Sequence, residues 1–121
     1  MEQVTHNTFE PSTHFNFERI RNYVGSDKDT INYILNLTID ELHSSLSIIE
    51  NHVLSNNLKG IKDTCHKLFG TAVTVGLEKL SVLARQLEHL NQFNQMLVND
   101  LLSKMKLEIN IVVKLLKQKI N

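Results

Sequence analysis

Apolar residues recur at spacings of three and four along most of the chain, which is typical of helices with one buried face. The longest such run covers Asp27–Leu54, where Ile31, Leu35, Leu42 and Ile49 follow this spacing. No stretch shows the strict alternation of apolar and polar residues that indicates a half-buried strand. The pattern therefore predicts an all-α protein.

Four further stretches have the same period, namely Phe15–Val24, Asn57–Thr74, Leu77–Leu90 and Met96–Ile120. The first is short, and the other three are long enough to pack along the Asp27–Leu54 helix. Four long amphipathic helices joined by short connections fold most simply as an antiparallel up-down-up-down four-helix bundle. The short first helix is an addition to that bundle.

Residues typical of helix ends lie between the predicted helices. Gly25 can end the first helix, and Ser26 is the predicted N-cap of the second because its hydroxyl can accept from an amide three residues on. The segment Ser55–Asn57 can end the second helix and cap the third, and Gly76 marks the turn that follows the third helix. Residues 1–14 are polar and unpatterned, so we expect a flexible N-terminal lead-in, followed by one domain over residues 15–121.

Composition excludes several classes of protein. The 121 residues include 13 Lys and Arg against 13 Asp and Glu, and this zero net charge argues against binding to a nucleic-acid backbone. The single cysteine, Cys65, cannot form an intramolecular disulfide. No apolar run is long enough for a membrane span, and no signal-peptide pattern begins the chain, so a cytoplasmic location without membrane contact is expected.

Candidate metal and nucleotide sites are absent from the sequence pattern. None of the six histidines stands one helical turn from another histidine, and Cys65 has no second cysteine beside it. The glycines do not form a phosphate-binding loop of either common type. Cys65 and His66 are adjacent on a helix and point about 100° apart, so they do not form a catalytic pair. We therefore expect no metal ion and no nucleotide bound by the chain itself.

His66 differs from the other histidines in its position on a helical wheel. The predicted buried stripe of its helix consists of Leu58, Ile61, Cys65, Leu68 and Ala72. With Ile61 at zero, His66 lies at about 140°, Gly70 at about 180°, Lys59 at about 160° and Lys62 at about 100°. A glycine inside a helix costs about 1 kcal/mol relative to alanine, yet Gly70 clears space beside the imidazole. An exposed imidazole with open space and nearby lysines suits phosphorylation on a ring nitrogen.

Two apolar residues lie near the edge of the same stripe. Phe69 falls at about 80° and Val73 at about 120°, between the buried face and His66. Each could belong to the edge of the core, or the two could form an apolar strip on which a partner docks. The wheel does not separate these alternatives, and we favour docking.

The segment Cys65–Ala72, with the sequence CHKLFGTA, resembles the central motif of the histidine phosphotransfer (Hpt) domain. That motif is H-x-L-K-G followed by small residues, then a glycine-bearing turn and a Leu-Glu pair. Val75–Leu80 and Leu87–Glu88 match these later parts. The resemblance extends to the short first helix and covers about residues 15–116.

The resemblance implies roles for individual residues. His66 would be the phosphoacceptor, Gly70 the residue that clears its approach, and Gly76 the turn between the two central helices. Phe69 departs from the family, which usually has a lysine at this position. Lys59, Lys62 and Lys67 are the remaining candidates for neutralising the phosphoryl group, and Lys62, at i−4 from His66, is better placed than Lys67.

The resemblance also implies a phosphorelay intermediate in two-component signalling. A receiver domain's phospho-aspartate would pass its phosphoryl group to His66, which would pass it to another receiver. The domain would carry phosphoryl groups without an ATP site of its own, and Mg²⁺ would come from the partner receiver. Such domains occur alone or at the C-terminus of hybrid sensor kinases, and a monomer is expected. The alternative is a non-catalytic helical module that binds receivers without transfer.

Overall fold

The computed structural model describes residues 14–120, and within that range the chain forms five helices and no strand. Their bounds are α1 Phe17–Val24, α2 Lys28–Leu54, α3 Leu58–Val75, α4 Glu78–Glu88 and α5 Gln95–Lys119. The all-α prediction is therefore confirmed for the described part of the chain. The predicted lead-in lies outside the described residues except for His14, so its flexibility stays a prediction.

The helices pack as a bundle around an aliphatic core. The main contacts join α2 to α3 and α5, and join α4 to α3 and α5, while α1 lies against α2 and α3. The largest fully buried side chains come from all five helices and one connection; they are Ile20, Leu35, Leu42, Ile49, Ile61, Leu68, Leu77, Leu80, Leu87, Met105, Ile109 and Leu116. These residues follow the predicted period of three and four. Leu58, predicted to be buried, is only half-buried because it begins α3 at one end of the bundle.

Local hydrogen bonds explain where the helices begin. The predicted cap Ser26 is wrong: the carboxylate of Asp27 accepts from the amide of Thr30 at 2.9 Å and from its hydroxyl at 2.6 Å. The positive end of the helix dipole also stabilises an aspartate carboxylate at this position. The segment Ser55–Asn57, predicted to cap α3, does supply the cap: the side-chain oxygen of Asn57 accepts from the amide of Gly60 at 3.0 Å. Asn94 caps α5 in the same way and starts that helix at Gln95, one residue earlier than predicted.

The turn between α3 and α4 also anchors the short first helix. Gly76 has a φ of 89°, the left-handed conformation that ends many helices. Its carbonyl accepts from the amide of Asn16 at 2.7 Å, and a Cβ on Gly76 would collide with the Asn16 carbonyl. Position 76 therefore requires glycine for two reasons: its backbone is in the left-handed conformation, and the segment before α1 approaches it too closely for a side chain.

α4 is shorter than predicted because it ends at Glu88 rather than Leu90. The amide of His89 still bonds to the carbonyl of Arg85, but the chain then leaves the helix. The carbonyl of Leu90 accepts instead from the ammonium of Lys62 on α3 at 2.8 Å. This side-chain contact fixes the end of α4 beside the middle of α3, which is where His66 lies.

Candidate functional site

His66 lies in the middle of α3 on the side that faces solvent. Its side chain is 72% exposed, whereas the neighbouring Cys65 and Leu68 are fully buried. The predicted exposure of His66 is therefore confirmed. The cause is the helix period, because the apolar stripe that packs into the core leaves position 66 on the outer face.

The imidazole of His66 is held by a carboxylate from the next helix. Its Nδ1 lies 2.5 Å from Oε2 of Glu88, the last residue of α4, and the Glu88 side chain is only 19% exposed. An ionised carboxylate can only accept, so in this contact Nδ1 carries the proton. In the neutral imidazole, the other ring nitrogen, Nε2, then has a free lone pair.

The role of Glu88 as partner of His66 was missed in the sequence. The Leu-Glu pair is part of the family resemblance, which implied no function for the glutamate. A signal was present, however: Leu87 is buried in the α4 stripe, so the next residue lies at the border of the face that packs on α3. Periodicity alone does not say which α3 residue lies opposite.

An open cleft of about 640 Å³ surrounds His66 at the surface between α3 and the end of α4. Its lining residues are Lys62, Asp63, His66, Lys67, Glu88 and His89. Two of the three candidate lysines therefore share a cleft with the imidazole. Asp63 and His89 stand in no recognisable sequence motif, so the sequence did not predict that they line this cleft.

The three candidate lysines differ in what their ammonium groups contact. Lys59 binds Asp63 at 2.8 Å, and this contact raises the pKa of Lys59 and lowers the pKa of Asp63. Lys62 donates to the carbonyl of Leu90. Lys67 is exposed and has no polar partner among residues 14–120. Lys59 does not line the cleft, so Lys62 and Lys67 are the cations placed closest to a group bound there.

Gly70 is exposed, and the space beside it is open. A Cβ built on Gly70 would meet no atom within 4 Å, apart from its own helix and chain neighbours. The helix is therefore not held against a neighbour at this position, and close packing does not explain the glycine. Gly70 leaves the surface one turn after His66 uncovered.

Phe69 and Val73 are both half-buried. Phe69 packs against the core, and the guanidinium carbon of Arg85 lies 3.7 Å from the centre of its ring. Phe69 was predicted to lie at the edge of the buried stripe, and in the structure its ring packs partly on the core and partly under Arg85. Whether a partner contacts Phe69 and Val73 stays a prediction.

Cys65 is not available as a nucleophile. Burial, and then the nearby charge of Glu88, raise the pKa of its thiol to about 12. The thiolate, which is the reactive form, is therefore scarce at neutral pH. Within residues 14–120, no three His, Cys, Asp or Glu side chains are arranged to hold a metal ion.

Comparison with known protein families agrees with the geometry of the site. Residues 34–117, more than half of the chain, match the family model of the Hpt domain. The chain belongs to the Hpt family. The matched region includes His66, Gly70 and Glu88, and all of α3 and α4. Searches of curated proteins and of solved structures found no match.

Membership of the Hpt family assigns this chain to phosphorelays of two-component signalling, in which Hpt domains interact with receiver domains. The family resemblance stated from the motif around His66 is thereby confirmed. None of the helices between residues 14 and 120 is long and apolar enough to cross a membrane.

Proposed function

We propose that His66 of this Hpt domain accepts a phosphoryl group on Nε2 from the phospho-aspartate of one receiver domain and passes it to the aspartate of another. The observation that carries this proposal is the arrangement of the imidazole. The carboxylate of Glu88 contacts Nδ1, the His66 side chain is 72% exposed, and Gly70 leaves the neighbouring surface open. These features present one ring nitrogen to a partner protein.

The transfer step is a displacement at phosphorus. The Nε2 lone pair of His66 forms the N–P bond while the acyl P–O bond of the receiver's phospho-aspartate breaks, and the electron pair of that bond goes to the aspartate carboxylate. The imidazole becomes more positive as it is phosphorylated, and the carboxylate of Glu88 at Nδ1 stabilises that charge. Return transfer to a second receiver reverses these steps.

The chain supplies part of the charge that the phosphoryl group needs. Lys62 is better placed by its position on the helix, but we favour Lys67, because its ammonium has no polar partner among residues 14–120, whereas Lys62 would have to leave the Leu90 carbonyl. Lys59 does not line the cleft, and its ammonium is paired with Asp63. The receiver would bring the Mg²⁺, so most of the catalytic effect here is positioning and charge stabilisation.

We infer that the receiver covers the face that contains His66 and Gly70, and that Phe69 and Val73 form the apolar edge of that contact.

Short connections at residues 55–57, 76–77 and 89–94 support an antiparallel up-down-up-down order of α2 to α5, because short loops join antiparallel neighbours. A cytoplasmic location and a monomeric domain are part of the same proposal.

The test is phosphoryl transfer from an isolated receiver domain charged with acetyl phosphate. We expect the chain to take up an acid-labile label, as phosphohistidine requires, and we expect His66→Gln to take up none. His43→Gln is the matched control, since His43 is an exposed histidine on α2. Receiver binding without labelling of the wild-type chain would favour the alternative, a non-catalytic docking module. That alternative has one observation in its favour, the phenylalanine at the position where the family usually has lysine.

A further inference from the structure

An arginine stacks on the residue that replaces the usual lysine of the family. Phe69 lies on α3 one turn after His66, and Arg85 lies on α4 one turn before Glu88. The guanidinium carbon of Arg85 is 3.7 Å from the centre of the Phe69 ring, within the range of a cation–π contact. Phe69 itself packs against the core, so it offers the arginine a fixed surface.

The two carboxylate oxygens of Glu88 have different surroundings. Oε2 contacts Nδ1 of His66, whereas Oε1 is buried and has no hydrogen-bond partner among the described residues. Arg85 Nε lies 3.8 Å from Oε1, which is an ion-pair distance but too long for a hydrogen bond. A buried carboxylate oxygen without a partner is unfavourable, and Arg85 is the cation that offsets its charge.

We propose that Arg85 is a positioning residue for His66. Held over Phe69, its guanidinium attracts Oε1 and keeps the Glu88 carboxylate turned so that Oε2 accepts from Nδ1 of the imidazole. The aromatic ring at position 69 thus supports the arginine that orients the acid partner of His66. This inference rests on the proposed role of His66 as phosphoacceptor.

Arginine suits this task better than lysine for a geometric reason. Its planar guanidinium can stack on an aromatic face while its edge N–H groups point at a carboxylate, whereas a lysine ammonium is a compact point charge. The Arg85 side chain is 45% exposed, so solvent weakens but does not remove its attraction for the buried oxygen. Both Phe69 and Arg85 are therefore needed for the arrangement.

The tautomer of His66 tests the proposal without any partner protein. In water a neutral histidine side chain favours the proton on Nε2, whereas the Glu88 contact requires it on Nδ1. Nitrogen NMR of the unphosphorylated chain, at a pH where His66 is neutral, should show mainly the Nδ1–H form. We expect Arg85→Gln to shift the population towards Nε2–H. Glu88→Ala removes the carboxylate contact altogether and so gives the largest shift that its loss can cause. Arg85→Lys should give a population between those of wild type and Arg85→Gln.

Arg21→Gln is the matched control. Arg21 is also 45% exposed and is also paired with a glutamate three residues away, but that glutamate is Glu18 on α1, which does not contact His66. This variant should leave the tautomer of His66 unchanged. An unchanged tautomer in Arg85→Gln would overturn the proposal, and so would an equal shift in Arg21→Gln.

Transfer kinetics provide the second readout. Misplacing a reacting group by about 1 Å can cost roughly a hundredfold in rate, and we expect a smaller loss of about tenfold for Arg85→Gln. Phe69→Leu, which keeps an apolar side chain but removes the aromatic face, should shift the tautomer and slow transfer in the same direction. A shifted tautomer with transfer within about twofold of wild type would overturn the role in transfer. If the wild-type chain takes no label, the proposed function fails, and the tautomer alone then decides whether Arg85 positions His66.

Discussion

Replacing Gly70 with alanine should stabilise the domain and slow phosphoryl transfer. Gly70 lies in the interior of α3, and a Cβ at this position would meet no atom within 4 Å. The substitution therefore gains no packing and causes no collision, so its effect on folding is the difference in helix propensity, about 0.8–1 kcal/mol. The free energy of unfolding should rise by about 0.5–1 kcal/mol, which corresponds to about 2–6 °C in melting temperature.

Gly60 offers a matched control on the same helix. A Cβ at Gly60 would lie 2.5 Å from Nδ1 and Cε1 of the His52 ring, so the ring must swing away. That movement would break the 3.3 Å contact between His52 Nδ1 and the side-chain amide of Asn57. Gly60→Ala should therefore be less stabilising than Gly70→Ala, or destabilising. Urea denaturation followed by circular dichroism measures both free energies.

Gly70→Ala should stabilise the fold but slow phosphoryl transfer. A side chain there occupies the open surface one turn from His66, over which the receiver must approach. Transfer rates should fall in the order Gly70, Gly70→Ala, Gly70→Leu, whereas Gly60→Ala should transfer as wild type does. The reasoning is refuted if Gly70→Leu transfers at the wild-type rate, or if Gly70→Ala destabilises the fold.

Three other predictions concern single side chains. His66→Gln should abolish phosphoryl acceptance and change the free energy of unfolding by no more than about 0.5 kcal/mol, because the side chain is 72% exposed; labelling at the wild-type rate would contradict it. His14→Ala should cost about 1–3 kcal/mol in thermal denaturation, because Nδ1 of His14 lies 2.6 Å from the carboxylate of Glu108, which is 2% exposed; Glu108→Gln in that variant should recover part of the loss. The pKa of Cys65 is raised from 9.0 to about 12, so between these pH values the unfolded chain loses a proton that the folded chain keeps, and stability should fall. A Cys65→Ala variant whose stability falls equally steeply over this range would contradict the assignment.

The helices and the exposure of His66 could be predicted because they depend on the chain's own period. A stripe of apolar residues that returns every three or four positions identifies the buried face of a helix, whatever it packs against. His66 lies away from that stripe, and it is exposed as the angle requires. The turn at Gly76 was predictable for a similar local reason, since glycine readily adopts the left-handed conformation found there.

Helix ends were less predictable, because neighbouring residues compete for the same cap. Ser26 and Asp27 both carry an oxygen that can accept from an amide three residues on, and the sequence does not rank adjacent candidates. The backbone places Asp27 at the cap, where Thr30 supplies both an amide and a hydroxyl. The end of α4 depends on Lys62, which belongs to another helix.

Contacts around the imidazole were decided only by the tertiary structure. Glu88 and His66 are 22 positions apart, and Arg85 meets Phe69 across the same pair of helices. The period of each helix indicates which side faces inwards. It does not indicate how far α4 is shifted along α3, or how α4 is rotated about its own axis. Those two quantities follow from the packing of buried side chains on both helices at once. They determine that a carboxylate reaches Nδ1 of His66 and that Nε2 is the nitrogen left free.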